Sequence, residues 1–137
     1  MIMFNTIDEM LAVLTSYRTK YNRYNELNAK LDGVKSPRLT DDAISTVPTS
    51  QEHRYNQNIE ERDELTKEMR QIEDVIISIK SVDYLSFVIL WDKFIEFETL
   101  EEISFSVHYS FQHLRQSLYP RAKRILFEHH TQTYKEK

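Results

Sequence analysis

The 137-residue chain has no cysteine, one glycine and three prolines. Without cysteine there are no disulfides and no thiolate zinc sites, and the usage fits a reducing compartment. All-β sandwiches and glycine-rich nucleotide folds need many turn glycines, so one glycine argues against both. Long apolar runs are also missing. The longest is Phe87-Val88-Ile89-Leu90-Trp91, far short of the roughly 20 residues a membrane helix requires. The N-terminus carries Asp8 and Glu9 and no basic leader, so no secretory signal is expected and a cytoplasmic location is.

What is present is a balanced, soluble composition, 29% charged and 40% hydrophobic. One domain, or one with an appendage, is expected from the length. The formal charge is only −4, but it is unevenly placed: residues 83–109 hold six acidic residues against Lys93, and residues 110–137 hold six basic against two acidic. A change of sign inside so short a stretch points to a polarised surface.

Periodicity predicts an all-α protein. Ile7, Met10, Leu14, Tyr17, Tyr21, Tyr24, Asn28 and Leu31 alternate spacings of three and four, a coiled-coil seam. A second seam runs through Tyr55, Asn58, Arg62, Leu65, Met69, Ile72, Ile76 and Ile79. Folded back as an antiparallel hairpin, with Ile7 against Ile79, the two match: Met10 meets Ile76, Leu14 meets Ile72, and Asn28 meets Asn58. A dimer exchanging the same helices would satisfy the seam equally well. Residues 32–51, holding Gly33, Pro37 and Pro48, read as a flexible linker at the tip, either a solvated link or a binding loop. The predicted organisation is a coiled-coil hairpin arm over 1–81, a helical bundle over 82–128 and a polar tail over 129–137.

After Lys80 the pattern changes. Val82–Ile95 is apolar on most faces, as for a helix inside a small bundle, and Trp91 reads as core beside Phe87 and Phe94. Thr99-Leu100-Glu101-Glu102 has the spacing of a capping box and opens a short helix. His108-Tyr109 interrupts it, and Ser110 is a suitable N-cap for the next helix. Pro120 predicts a kink or break there. Two short helices separated by a tight turn have the plan of a helix-turn-helix. Leu114 and Leu118 would then face the core. Phe111, Gln112, His113, Arg115, Gln116 and Tyr119 would face outward, with Ser110 at the helix start. These residue types suit groove reading, since Gln pairs with adenine and Arg with guanine. The basic run Arg121, Lys123 and Arg124 would meet phosphates, which position without specifying.

The segment Thr99-Leu100-Glu101-Glu102-Ile103-Ser104-Phe105-Ser106-Val107-His108-Tyr109-Ser110 resembles the T-x-x-E-I-A-x-x-L-x-Y-S pattern of region 4 of bacterial sigma factors. It is most similar to phage transcriptional regulators of the ArpU and RinA type. The stretch Tyr84–Phe97 is similar to their preceding apolar helix, and the heptad pair with the linker around Lys35-Ser36-Pro37-Arg38-Leu39 to their N-terminal plan. The resemblance implies binding of double-stranded DNA at promoters, control of late or packaging genes, and contact with RNA polymerase. In this chain Ser104 stands at the place of Ala, His108 at the place of Gly, and Glu96-Phe97 in the usual turn-glycine region.

Other readings follow from the same residues. Acidic Glu96, Glu98, Glu101 and Glu102 beside the basic helix also suit an anti-CRISPR-like inhibitor that binds a host nuclease or polymerase instead of DNA. A purely structural coiled-coil protein is the third reading. His108, His113, His129 and His130 lack metal-ligand spacing, and Glu60, Glu61, Asp63, Glu64 and Glu68 read as a solvated face with Arg62, Lys67 and Arg70. No nucleophile–base set or phosphate-cradling loop is present, so the sequence predicts no enzyme, no metal and no cofactor. A homodimer is expected, as for other helix-turn-helix proteins.

Overall fold

The computed structural model describes residues 4–34 and 49–135. Five helices account for nearly all of them. Helix α1 spans Ile7–Val34, α2 Thr49–Ile77, α3 Tyr84–Phe94 and α4 Leu100–Val107. Helix α5 is one continuous run in three segments, α-helical over Phe111–His113, π-helical over Leu114–Leu118 and α-helical again over Tyr119–Lys135. The protein is therefore all-α, a long antiparallel pair followed by smaller packed helices. The linker assigned to 32–51, with its Lys35–Leu39 segment, lies mostly outside the described residues.

Antiparallel pairing of α1 with α2 is fixed by cross-helix bonds. Tyr17 Oη donates to Glu73 Oε2 at 2.7 Å, Lys20 pairs with Glu68 at 3.0 Å, Arg23 forks onto both carboxylate oxygens of Glu61, and Arg62 donates to Asn28 Oδ1 at 3.5 Å. Asn28 thus accepts from Arg62, where the register that sets Ile7 against Ile79 placed Asn58 opposite it. The seam itself departs from a strict heptad. Met10, Leu14, Tyr17 and Leu31 are buried as expected, but Leu27 is fully buried where the repeat points to Asn28, and Tyr21 is 39% exposed. An apolar side chain one position away takes the interior because burying an amide without a full set of partners costs free energy.

Backbone contacts divide the chain into two compact units, residues 1–18 with 70–137, and residues 19–69. The first holds most of the core. Met10, Leu14, Ile72, Ile76 and Ile79 are buried there, as are Ile89, Leu90, Ile103, Leu114, Ala122 and Leu126. Each large aliphatic side chain removed from water contributes roughly 1.5–3 kcal/mol. Phe4 is also buried, and its ring lies 4.7 Å from that of His130. The helix thus continues, packed, past position 129.

A residue of positive φ follows each short helix. His108, the C-cap of α4, has φ 63°, and Phe97, two residues beyond the α3 C-cap Ile95, has φ 61°. At α4 the N–H groups of His108 and Tyr109 both bond to the Ser104 carbonyl; at α3, Glu96 bonds back to Trp91 and Glu98 to Asp92. Glycine is the usual occupant of such left-handed ends because it has no Cβ to clash. In this chain a phenylalanine and a histidine fill both.

Helix α3 corrects one sequence expectation. Ser86, Ile89, Leu90 and Phe94 are buried, but Tyr84 is 62% exposed and Trp91 only half-buried, its indole N–H donating to Glu96 Oε1 at 3.2 Å. One apolar face is fully buried and the opposite one only partly.

Candidate nucleic-acid interface

The site is built on α4, a three-residue turn and α5. Thr99 Oγ1 accepts from the Glu102 N–H at 3.2 Å and the Glu102 carboxylate accepts from the Thr99 N–H at 3.1 Å. This reciprocal box satisfies two donors that α4 would otherwise leave orphaned. It also holds the Glu102 carboxyl below its ordinary range, because both the Thr99 backbone and hydroxyl bond to the charged form. After the left-handed His108, Ser110 Oγ accepts from the His113 N–H at 3.1 Å and starts α5.

Leu114, Leu118, Ala122 and Leu126 anchor α5 in the core. They recur every four residues, a spacing that a 3.6-residue turn would rotate by about 40° per step. The π turn over Leu114–Leu118, in which the Tyr119 N–H bonds five residues back to Leu114, winds more slowly and removes part of that drift. Its position also answers Pro120, which has no N–H and whose ring presses on the carbonyl four residues earlier. The expected kink or break is instead absorbed as a widened turn, and the helix runs on.

Above that anchor stripe, Phe111, Gln112, His113, Arg115 and Gln116 are all exposed. Gln112, Arg115 and Gln116 stand at spacings of three and four, which places them on one helix face. The Arg115 guanidinium lies 5.7 Å from the centre of the Phe111 ring, and the His113 ring 5.7 Å from that of Tyr109. Arg124 is exposed as well.

Four of the residues singled out from sequence have other engagements. Ser110 is occupied as the N-cap. The Arg121 guanidinium sits 3.3 Å from Asp83 Oδ2. Tyr119 is half-buried, and burial raises its phenol above the ordinary range; Lys123 Nζ lies 4.6 Å from the centre of its ring. Tyr119 also lines a cavity of about 400 Å³ with Leu14, Arg18, Lys93 and Phe97, away from the Gln112–Gln116 face. Two exposed aromatics were not singled out, Phe105 at 77% exposure and Tyr109 at 44%. The sequence signal for Phe105 was an apolar residue off the Leu100, Ile103, Val107 stripe.

Among the described residues no group of three or more His, Asp or Glu side chains is placed to hold a metal ion, and no helix is long and apolar enough to cross a membrane. No protein family, curated protein or solved structure matches the chain.

Proposed function

We propose that the chain is a DNA-binding transcriptional regulator of the phage late-gene type, which inserts the first turns of α5 into the major groove of duplex DNA in the host cytoplasm. The observation that carries this reading is the exposure of Gln112, Arg115 and Gln116 on one face of a helix anchored by buried Leu114 and Leu118. The helix that follows a capped short helix and a three-residue turn is the recognition helix in that geometry. Near its start, Gln carries a donor and an acceptor that match an adenine edge, and Arg carries two donors that match a guanine edge. Arg124 and Lys123 supply phosphate contacts, and the α1–α2 pair serves oligomerisation or contact with RNA polymerase.

Few cations serve this face. With Lys123 and Arg124 as the phosphate contacts, log affinity should fall with log salt at a slope of about −2, since each neutralised phosphate adds about −0.9. The test is selection of binding sequences from random duplexes, followed by titration of the selected site. Arg115→Ala and Gln116→Ala should each weaken the selected site roughly tenfold or more, at about 1–3 kcal/mol per base contact, and relax preference at one position. Unchanged affinity and preference in both variants would overturn the assignment.

A second reading has its own observation. Glu101 and Glu102 are exposed at the start of α4, and Phe105, Tyr109 and Phe111 are exposed beyond them, a surface suited to a protein partner such as a basic nuclease groove. Capture of a host nuclease or polymerase subunit at salt that abolishes DNA binding would favour it.

A further inference from the structure

Helix α3 is apolar on most faces, yet among the described residues only one side of it is fully buried. Ser86, Ile89, Leu90 and Phe94 face the core. On the other side Tyr84, Phe87 and Trp91 form a row of rings with centroids 5.9 and 5.8 Å apart. Val88 and Ile95 lie on the same helix face, half-buried, and Val82 and Ile77, before the start of α3, are exposed. A helix apolar on most faces is normally enclosed by its neighbours, and a contiguous aromatic surface of this kind marks an interaction site.

The charges at the two ends of the row specify the occupant. At the N-terminal end Lys80 Nζ lies 5.5 Å from the centre of the Phe87 ring. At the C-terminal end Glu96 accepts from Trp91, and Asp92 and Glu98 crowd beside it, so that burial and two neighbouring carboxylates raise the Asp92 carboxyl. Negative charge at a helix C-terminus is also opposed by the macrodipole. The surface therefore carries a cation at one end and a group of carboxylates at the other, with aromatic rings between. Such a strip complements its own copy turned end for end.

We propose that the outer face of α3 is a self-association surface, on which two copies pack α3 against α3 antiparallel about a two-fold axis at Val88. In that register Lys80 meets Glu96 of the second copy, Tyr84 lies beside Trp91 and Asp92 of the second copy, and the Phe87 rings close the centre. Each α3 C-terminus comes to lie beside the N-terminus of the other, so the helix dipoles oppose. An isologous contact of this kind is self-limiting at two chains. It is independent of the DNA-binding reading, because its test needs no DNA.

Sedimentation velocity of the full chain over a rising concentration series should show a monomer–dimer equilibrium. Lys80→Glu alone and Glu96→Lys alone, both at exposed positions, should each weaken dimerisation about tenfold by placing like charges together, and the Lys80→Glu/Glu96→Lys double variant should restore it. The natural absence of cysteine provides a second readout: Val88→Cys should give a disulfide-linked dimer on oxidation, and the remote Ser106→Cys should not. A chain that stays monomeric throughout, a dimer indifferent to both single charge variants, or a double variant that fails to recover would each overturn the proposal.

Discussion

Asp83 and Arg121 tie the start of α3 to the middle of α5. Asp83 Oδ2 accepts from the Ser86 hydroxyl at 3.0 Å and lies 3.3 Å from the Arg121 guanidinium, while Oδ1 faces the Ser86 N–H as the N-cap. One carboxylate thereby caps one helix and orients another. Arg121, which sequence reading assigned to phosphate, is held by this pair on the protein's own surface.

Asp83→Ala should destabilise the fold by about 1 kcal/mol through loss of the cap. Arg121→Ala should cost less, under about 1 kcal/mol, since its side chain is 54% exposed and water screens the pair. Chemical denaturation of the two single variants and the double variant measures the coupling. In DNA titrations Arg121→Ala should leave the salt slope nearly unchanged, whereas Arg124→Ala should reduce it by about one phosphate contact.

The capping box predicts a pH dependence. The Glu102 carboxyl is lowered by its bonds to Thr99, so it releases its proton more readily folded than unfolded. The stability it contributes is present above the ordinary carboxylate range and is lost as pH falls through its folded value. Asp92 has the opposite sign: its carboxyl is raised, chiefly by burial, so its charged form opposes folding and protonation relieves it. Thermal melts from neutral to acid pH should show a shallower acid loss for Glu102→Gln than for the parent chain. Asp92→Asn should raise the melting temperature at neutral pH.

His108 sits at φ 63° and ψ 34°, where a side chain with a Cβ is strained by roughly 1 kcal/mol. His108→Gly should stabilise the protein by about that amount in denaturant titrations, and His108→Val should destabilise it by more. Phe97 also has a positive φ, 61°, but its ring lies 6.1 Å from Tyr17 and under the Arg18 guanidinium at 5.3 Å. Phe97→Gly should therefore lose more packing than it gains in backbone relief, giving a net loss.

Pro120 touches the interface only through the backbone. Pro120→Ala restores an N–H that can bond to the Gln116 carbonyl, and the π turn should rewind toward an α turn. Arg115 and Gln116 would rotate with it. Amide chemical shifts over 114–119 should move, and the selected DNA sequence should change, although no side-chain contact has been removed. Identical shifts and an identical site would mean that the π turn does not depend on the proline.

The long helices, their antiparallel pairing and the capping residues Thr99 and Ser110 were legible from sequence, because each rests on local spacing or on pairing between two regular patterns. The anchors Leu114 and Leu118 were legible for the same reason. Less visible were the assignments of Arg121 and Tyr119. A cation or a phenol carries no local mark of whether it will face solvent or find a partner such as Asp83, which is distant in the chain.

The amino-acid sequence by itself determined that this protein is helical, where its helices start and which stripes they bury, since capping chemistry and the 3.6-residue period act within a few residues. Only the tertiary structure decided that Phe97 and His108 take left-handed ends without glycine, that a π turn absorbs Pro120, and that one aromatic face of α3 stays uncovered. Those outcomes depend on how much strain the packed core can hold and on which surfaces remain after every other helix has been placed. Neither is a property of any single segment.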